Sequence, residues 1–158
     1  MRLCDILSVQ RIFVDPKGEE TSDKAAVLHR LAELLAAELG VSAEEVRIPL
    51  LEREQLQSTG IGDGVAIPHT SLDAATSQTA ALLLCPQGVA FEAIDGSPVR
   101  IVFGVVGPKR AASEHLKILA KVSRLLRSPE TRRRLLESTS PQQAYSLIEE
   151  HESSSVSS

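Results

Sequence analysis

The chain has 158 residues, enough for one domain with a sizeable core. Its hydrophobic content of 42% marks it as globular, and its formal net charge of −4 argues against nucleic acid as a partner. No apolar run approaches the length of a membrane span, so no membrane insertion is expected.

Met1 to Asp5 is too short and too polar for a signal peptide, and Cys4 and Cys85 lie far apart in no metal-binding spacing. A cytoplasmic location with two reduced structural thiols is expected, with no cofactor and no metal. Aromatics are limited to three Phe and one Tyr, so the core must be aliphatic.

Arg11-Ile12-Phe13-Val14 reads as an edge strand, followed by a turn at Asp15-Pro16-Lys17-Gly18. Thr21 or Ser22 can cap a helix whose apolar face is Val27, Leu28, Leu31, Leu34, Leu35 and Leu39, stopped by Gly40. His29, beside Leu28, reads as a surface residue of this helix. Ser42-x-x-Glu45 is a capping box for a second helix, in which Pro49 either makes a kink or begins a new helix.

Thr79 to Cys85 is an apolar run that Pro86 ends, and Val99 to Val106 is rich in β-branched residues, so both read as strands. Asp95-Gly96-Ser97-Pro98 is a turn between extended pieces. Ser113 then begins a helix with Leu116, Leu119, Val122 and Leu126 on its face, and Ile118 and Leu125 at the edges. Ser128-Pro129 and Ser140-Pro141-Gln142-Gln143 each place a cap before a helix-starting proline. The expected organisation is one domain over residues 1–151 and a disordered serine-rich tail over 152–158. Strands in the middle with helices before and after give an α/β layer structure with a mixed sheet.

The stretch from Ser58 to Thr70 organises this pattern. Gly60, Gly62 and Gly64 alternate through a loop that calls for positive φ or close approach. Val65-Ala66-Ile67 is a brief buried strand, and Pro68, which has no N–H, stops it directly before His69. The glycines precede the strand and no Gly-Lys-Ser/Thr follows, which excludes a dinucleotide fingerprint and a P-loop. Loop, strand and proline together present one imidazole at the rim of a sheet. A histidine can act as a nucleophile near neutral pH. Asp63 and Asp73 are the nearest acidic residues in sequence that can orient it. A hydrolase built on Ser58, His69 and an Asp lacks a nucleophile elbow.

Four elements, in order over roughly residues 3–150, resemble the enzyme IIA domains of fructose/mannitol type in the phosphoenolpyruvate-dependent sugar phosphotransferase system. They are Leu51-Glu52-Arg53-Glu54, Thr59-Gly60-Ile61-Gly62 through Ile67-Pro68-His69, Ala90 to Val99, and Glu114-His115-Leu116. The nitrogen-regulatory branch is the most similar in length and N-terminal stretch. The resemblance implies a mixed β-sheet flanked by helices on both faces.

It also implies a phosphocarrier in which His69 is phosphorylated, with His115 and Arg53 around the phosphoryl group. Thr59, Gly60, Gly62, Gly64 and Thr70 would form a phosphoryl-binding loop. Position 70 departs from the family pattern, in which Gly or a similar small residue is common. The implied donor is the phosphorylated histidine carrier protein, and the acceptors are a IIB domain or regulatory targets. The sequence shows no fused acceptor or membrane domain, which favours a regulatory role over a sugar-specific one. Between Lys109 and Arg134 lie nine Lys or Arg against two Glu, a net of +7 that leaves −11 elsewhere. A solvated helical face with paired charges is expected there, with a docking patch for an acidic protein as the sharper alternative.

Overall fold

The computed structural model describes residues 1–157. Six α-helices and six strands make up the described chain, with five of the strands in succession between the third and fourth helices. Helix α1 (Leu3–Ile6) and a 3₁₀ turn (Val9–Arg11) lead into β1 (Ile12–Val14). Helices α2 (Lys24–Leu39) and α3 (Ala43–Leu56) follow. Next come β2 (Gly60–Gly62), β3 (Val65–Ala66), β4 (His69–Ser71), β5 (Thr79–Val89) and β6 (Val99–Gly107). Helices α4 (Ala112–Arg127), α5 (Pro129–Leu136) and α6 (Pro141–Ser157) complete the chain.

All six strands form one mixed sheet in the order β1-β5-β6-β3-β2, with β4 also paired to β6. β6 is the axis of the sheet. It runs antiparallel to β5 and parallel to β3 and β4. Period-two alternation sends its side chains into two separate cores. Ile101, Phe103 and Val105 join α1, α4, α5 and α6 on one face. Val102 and Val106 join α2 and α3 on the other. The mixed sheet covered by helices on both faces is therefore present as expected.

Local chemistry explains where the boundaries differ from expectation. Asp23, rather than Thr21 or Ser22, caps α2, because Thr21 is engaged with the Asp15 carboxylate. Pro49 sits inside a continuous α3. Pro86 does not end β5, which continues to Val89 through a register shift where the missing N–H costs no ladder bond. Pro68 likewise interrupts rather than ends its strand. After it, β4 resumes the same parallel pairing against β6. Ser71 belongs to β4, and the polar loop begins only after it.

The glycine stretch is a hairpin, β2 pairing antiparallel with β3 around Asp63 and Gly64, both of positive φ. Helix α4 starts at Ala112 after a 3₁₀ turn (Lys109–Ala111), so Ser113 lies within it and is no cap. The buried face of α4 is rotated accordingly, to His115, Ile118, Val122, Leu125 and Leu126, with Leu116 facing solvent. The serine-rich stretch expected as a disordered tail is helical through Ser157, and Glu152 accepts hydrogen bonds from the Leu3 and Cys4 amides. Ser158 lies outside the described residues. Arg133 and Arg134 pair with Glu130, Glu137 and Glu150 as expected, while Lys117 and Arg124 of α4 are exposed.

One glycine sets the distance between α2 and the sheet. A Cβ at Gly104 would begin 2.5 Å from Leu31 Cδ2, and Leu31 is fully buried. Gly104→Val should therefore destabilise the fold by about 1–3 kcal/mol through overpacking. Urea unfolding measures this, and Leu31→Ala in the same chain should recover part of the loss. Equal stability of Gly104→Val and wild type would show that the helix is not seated at this glycine.

Candidate functional site

Topology gathers three polar side chains at one end of the sheet. The C-terminal end of β6 pairs Val105 with His69, Val106 with Thr70 and Gly107 with Ser71. Because β5 runs antiparallel to β6, its first residue, Thr79, also lies beside Val106. Helix α4 begins just beyond the same end of β6. Thus His69 from β4, Gln78 before β5 and His115 from the start of α4 converge, although 46 residues separate the histidines in sequence.

His69 is half-buried, and its Nδ1 lies 2.7 Å from the Ile67 carbonyl oxygen. A carbonyl only accepts, so Nδ1 carries the proton and the lone pair is on Nε2. The Ile67 backbone is itself held, its N–H donating to Thr59 O at 3.0 Å. Thr59 is anchored in turn, donating from its N–H and its hydroxyl to the buried Glu54 carboxylate at 3.0 and 2.6 Å. Lys24 of α2 closes the chain with a 2.9 Å ion pair to Glu54. The His69 ring is therefore oriented by a relay from α2 and α3 through backbone. It is not oriented by Asp63, which sits in the hairpin turn, or by Asp73, which is exposed and pairs with Lys109.

His115 is only 6% exposed, and its Nδ1 donates to Gln78 Oε1 at 2.8 Å. The rings of His69 and His115 are 5.9 Å apart between centroids and tilted by 51°. His115 Nε2 and Gln78 Nε2 are buried with no hydrogen-bond partner among the described residues. Gln78 lies so close to Gly107 that any Cβ there would overlap its amide. Burial holds His69 below the ordinary imidazole value, and the positive charge of Arg53 adds to the shift. The hydrogen bond to Ile67 and the charge of Glu54 oppose it. Burial lowers His115 as well, and repulsion from His69 contributes. Both imidazoles are neutral near pH 7.

The other residues singled out from sequence divide into near and far. Arg53 is half-buried at the end of α3, donates from Nη1 to the Gln57 carbonyl, and does not pair with Glu52 or Glu54. With Thr70 it lines an open cleft of about 700 Å³ that also takes in Asp73 and Lys109. Strand alternation turns Thr70 to that α3 side, away from the His69–His115 contact. Thr59 supports the site from beneath.

Gly60 is needed for close approach, since a Cβ there would lie 2.7 Å from Ala93 Cβ. Gly62 and Gly64 stand at the hairpin turn against Asp95 and Arg100. From Gly64 to His69 the chain is extended, on the order of 15 Å. These two glycines shape the hairpin rather than surround His69. Ser58 is bound to the Phe91 carbonyl and does not form a nucleophile–base pair.

Sequence reasoning missed Gln78, the Ile67 carbonyl and the Lys24–Glu54 pair. Gln78 falls between a polar, loop-like stretch ending at Ser77 and the strand starting at Thr79, and a backbone carbonyl leaves no sequence signal.

The chain and its fold are similar to known proteins. The family model of the phosphoenolpyruvate-dependent sugar phosphotransferase system, EIIA 2, matches residues 5–151. A nitrogen regulatory protein of Pseudomonas aeruginosa is 35% identical over 149 residues, 94% of this chain and 95% of that protein. A fructose-specific EIIA component of Haloferax volcanii is 30% identical over 151 residues, 95% of this chain and 98% of that one. The crystal structure of nitrogen regulatory protein IIA-Ntr from Neisseria meningitidis superposes with a TM-score of 0.85 at 30% identity. That match covers 92% of this chain and 98% of the Neisseria chain. With the fold, the paired histidines and a match over nearly its whole length, the chain belongs to the EIIA 2 family of the phosphoenolpyruvate-dependent sugar phosphotransferase system.

Proposed function

We propose that His69 Nε2 accepts a phosphoryl group from the phosphorylated histidine carrier protein, and that the chain works in the cytoplasm mainly as a regulator of the nitrogen type. One observation carries the first part: the Ile67 carbonyl holds the Nδ1 proton, so the bare nitrogen of His69 is Nε2. In the transfer, the Nε2 lone pair attacks phosphorus and the donor's N–P bond breaks. The donor imidazole leaves with that electron pair. The phosphoryl group ends on Nε2 while Nδ1 keeps its proton and its bond to Ile67.

Such a transfer needs positioning and neutralisation more than covalent help. The N-terminal end of α4, whose first amides have no partner within the helix, lies beside His115 and favours an anion. Arg53 adds a guanidinium within electrostatic range of His69.

The regulatory assignment rests on the similarity to the nitrogen regulatory proteins over nearly the full chain. The fructose-specific relative of similar coverage supports the second reading, in which His69 passes its phosphoryl group to a separate IIB for sugar uptake. Among the described residues no helix is long and apolar enough to cross a membrane.

His69→Ala should abolish phosphorylation by the carrier protein without unfolding the chain, as read by intact mass and circular dichroism. The wild-type phosphate should be labile to acid and stable to alkali. Undiminished labelling of the variant, or an acid-stable phosphate, would contradict the assignment.

Arg53→Ala should still load His69, but roughly 10²-fold more slowly, by analogy with the loss of one oxyanion donor. Its pH profile should move as well. With Arg53 present, the His69 pKa is lowered, so loading should hold up through the ordinary imidazole pKa of about 6.5 and fail only at lower pH. Removing Arg53 takes away one lowering contribution and should move the acid limb upward. Rapid-mixing rates between pH 5 and 8 test both effects. A wild-type rate with an unshifted limb would make Arg53 an ordinary surface residue.

A further inference from the structure

Two buried polar atoms at this end of the sheet, His115 Nε2 and Gln78 Nε2, have no hydrogen-bond partner among the described residues. Leaving a buried polar group unsatisfied costs roughly 1–3 kcal/mol, so the arrangement calls for a reason. The hydrogen bond from His115 Nδ1 to Gln78 Oε1 supplies one. It places the single proton of a neutral His115 on Nδ1 and leaves Nε2 bare. A bare nitrogen can accept a proton but cannot donate to a phosphoryl oxygen. A phosphoryl group on the neighbouring ring would bring close to two negative charges into this buried setting. Its oxygens would then repel the His115 lone pair unless that nitrogen gained a proton.

The surroundings leave this response to His115. From β4, His69 is the titratable group that faces it. Gln78, ahead of β5, is neutral. Arg53 and Glu54 of α3 act on His69. Lys109, Arg110 and Glu114, nearest along the chain, are exposed. Helices α1 and α5 bring Leu3, Ile6 and Leu135 to the core beneath α4. Gly107 lets the Gln78 amide lie against the end of β6, where a side chain would displace it.

We infer that Gln78 is a positioning residue which presents His115 Nε2 as a proton acceptor, so that loading a phosphoryl group on His69 draws one proton from solvent onto His115. The inference rests on the reading of His69 as the phosphoryl acceptor. The proton converts His115 into an imidazolium that donates from Nδ1 to Gln78 and from Nε2 to a phosphoryl oxygen. The charge-assisted bond exists only in the loaded state. Loading then becomes pH-linked. Its equilibrium constant rises as pH falls, by up to about tenfold per pH unit for one proton taken up.

The test uses the full ¹⁵N-labelled chain and long-range ¹H–¹⁵N correlation of the imidazole nitrogens. Spectra are taken of the free protein and after treatment with potassium phosphoramidate, with intact mass counting phosphoryl groups and His69→Ala fixing their site. In the free protein His115 should be protonated on Nδ1 alone, and in the loaded protein at pH 7.5 on both nitrogens. A bare Nδ1 in the free protein, or a bare Nε2 in the loaded one, overturns the inference. Failure to load His69 removes the phosphoryl reading and the proton step with it, while the free-protein spectrum still decides whether Gln78 positions His115.

Gln78→Met removes the acceptor at similar volume. It should redistribute the His115 tautomers and slow loading roughly 3- to 10-fold, the loss of one neutral hydrogen bond. Gln78→Glu keeps an acceptor and adds a negative charge, so His115 should already be protonated in the free protein and the pH dependence of loading should flatten. Wild-type tautomers and pH dependence in both variants would overturn the positioning role.

Discussion

The hydrogen bond from His69 Nδ1 to the Ile67 carbonyl is the constraint on which the site depends. It fixes the tautomer, the ring plane and the identity of the bare nitrogen. A bond between residues only two apart orients a ring only if its own backbone is fixed, and much of the fold serves that end. Pro68 stands between β3 and β4, which both pair with β6, and the Ile67 carbonyl just before it turns toward the imidazole. Thr59 holds the Ile67 amide, Glu54 holds Thr59, and Lys24 neutralises Glu54. Removing one partner of a buried ion pair costs about 3–5 kcal/mol, because the charge left behind is uncompensated. Lys24 and Thr59 together compensate the buried Glu54 carboxylate. The orientation of His69 is thereby tied to the packing of α2 and α3.

Electrostatics complements this geometry. Two imidazoles in contact cannot easily both be charged, and burial keeps both neutral. A neutral pair suits nucleophilic attack by one of them. Among the described residues, Arg53 is the full positive charge that acts on His69. His69 forms no ion pair among the described residues, and its ring is held by the neutral Ile67 carbonyl.

The fold was legible where periodicity and punctuation act locally. The α2 stripe with its Gly40 stop, the β-branched run of β6 and the Ser128-Pro129 cap all correspond to the structure. Legibility failed at prolines and at one helix start. Pro68 and Pro86 read as stops because proline lacks an N–H, yet each stands where the ladder does not need one. At α4, the expected Ser113 cap put Leu116 on the buried face. The preceding 3₁₀ turn instead starts the helix earlier, and His115 takes the buried place.

The family resemblance named Arg53, His69 and His115, and the fold brings the two histidines into contact with Arg53 in electrostatic range. It did not separate Gly62 and Gly64, which shape the far end of the hairpin, from residues near His69. Gln78 and the Ile67 carbonyl could not be read from sequence, since their roles exist only once β4, β5 and α4 meet.

The central claim is that the Ile67 carbonyl determines which nitrogen of His69 reacts. The most direct measurement is a long-range ¹H–¹⁵N correlation of His69 in the phosphorylated protein, with ³¹P coupling to identify the bonded nitrogen. The account predicts phosphorus on Nε2 and a retained proton on Nδ1. Phosphorus on Nδ1 would contradict it.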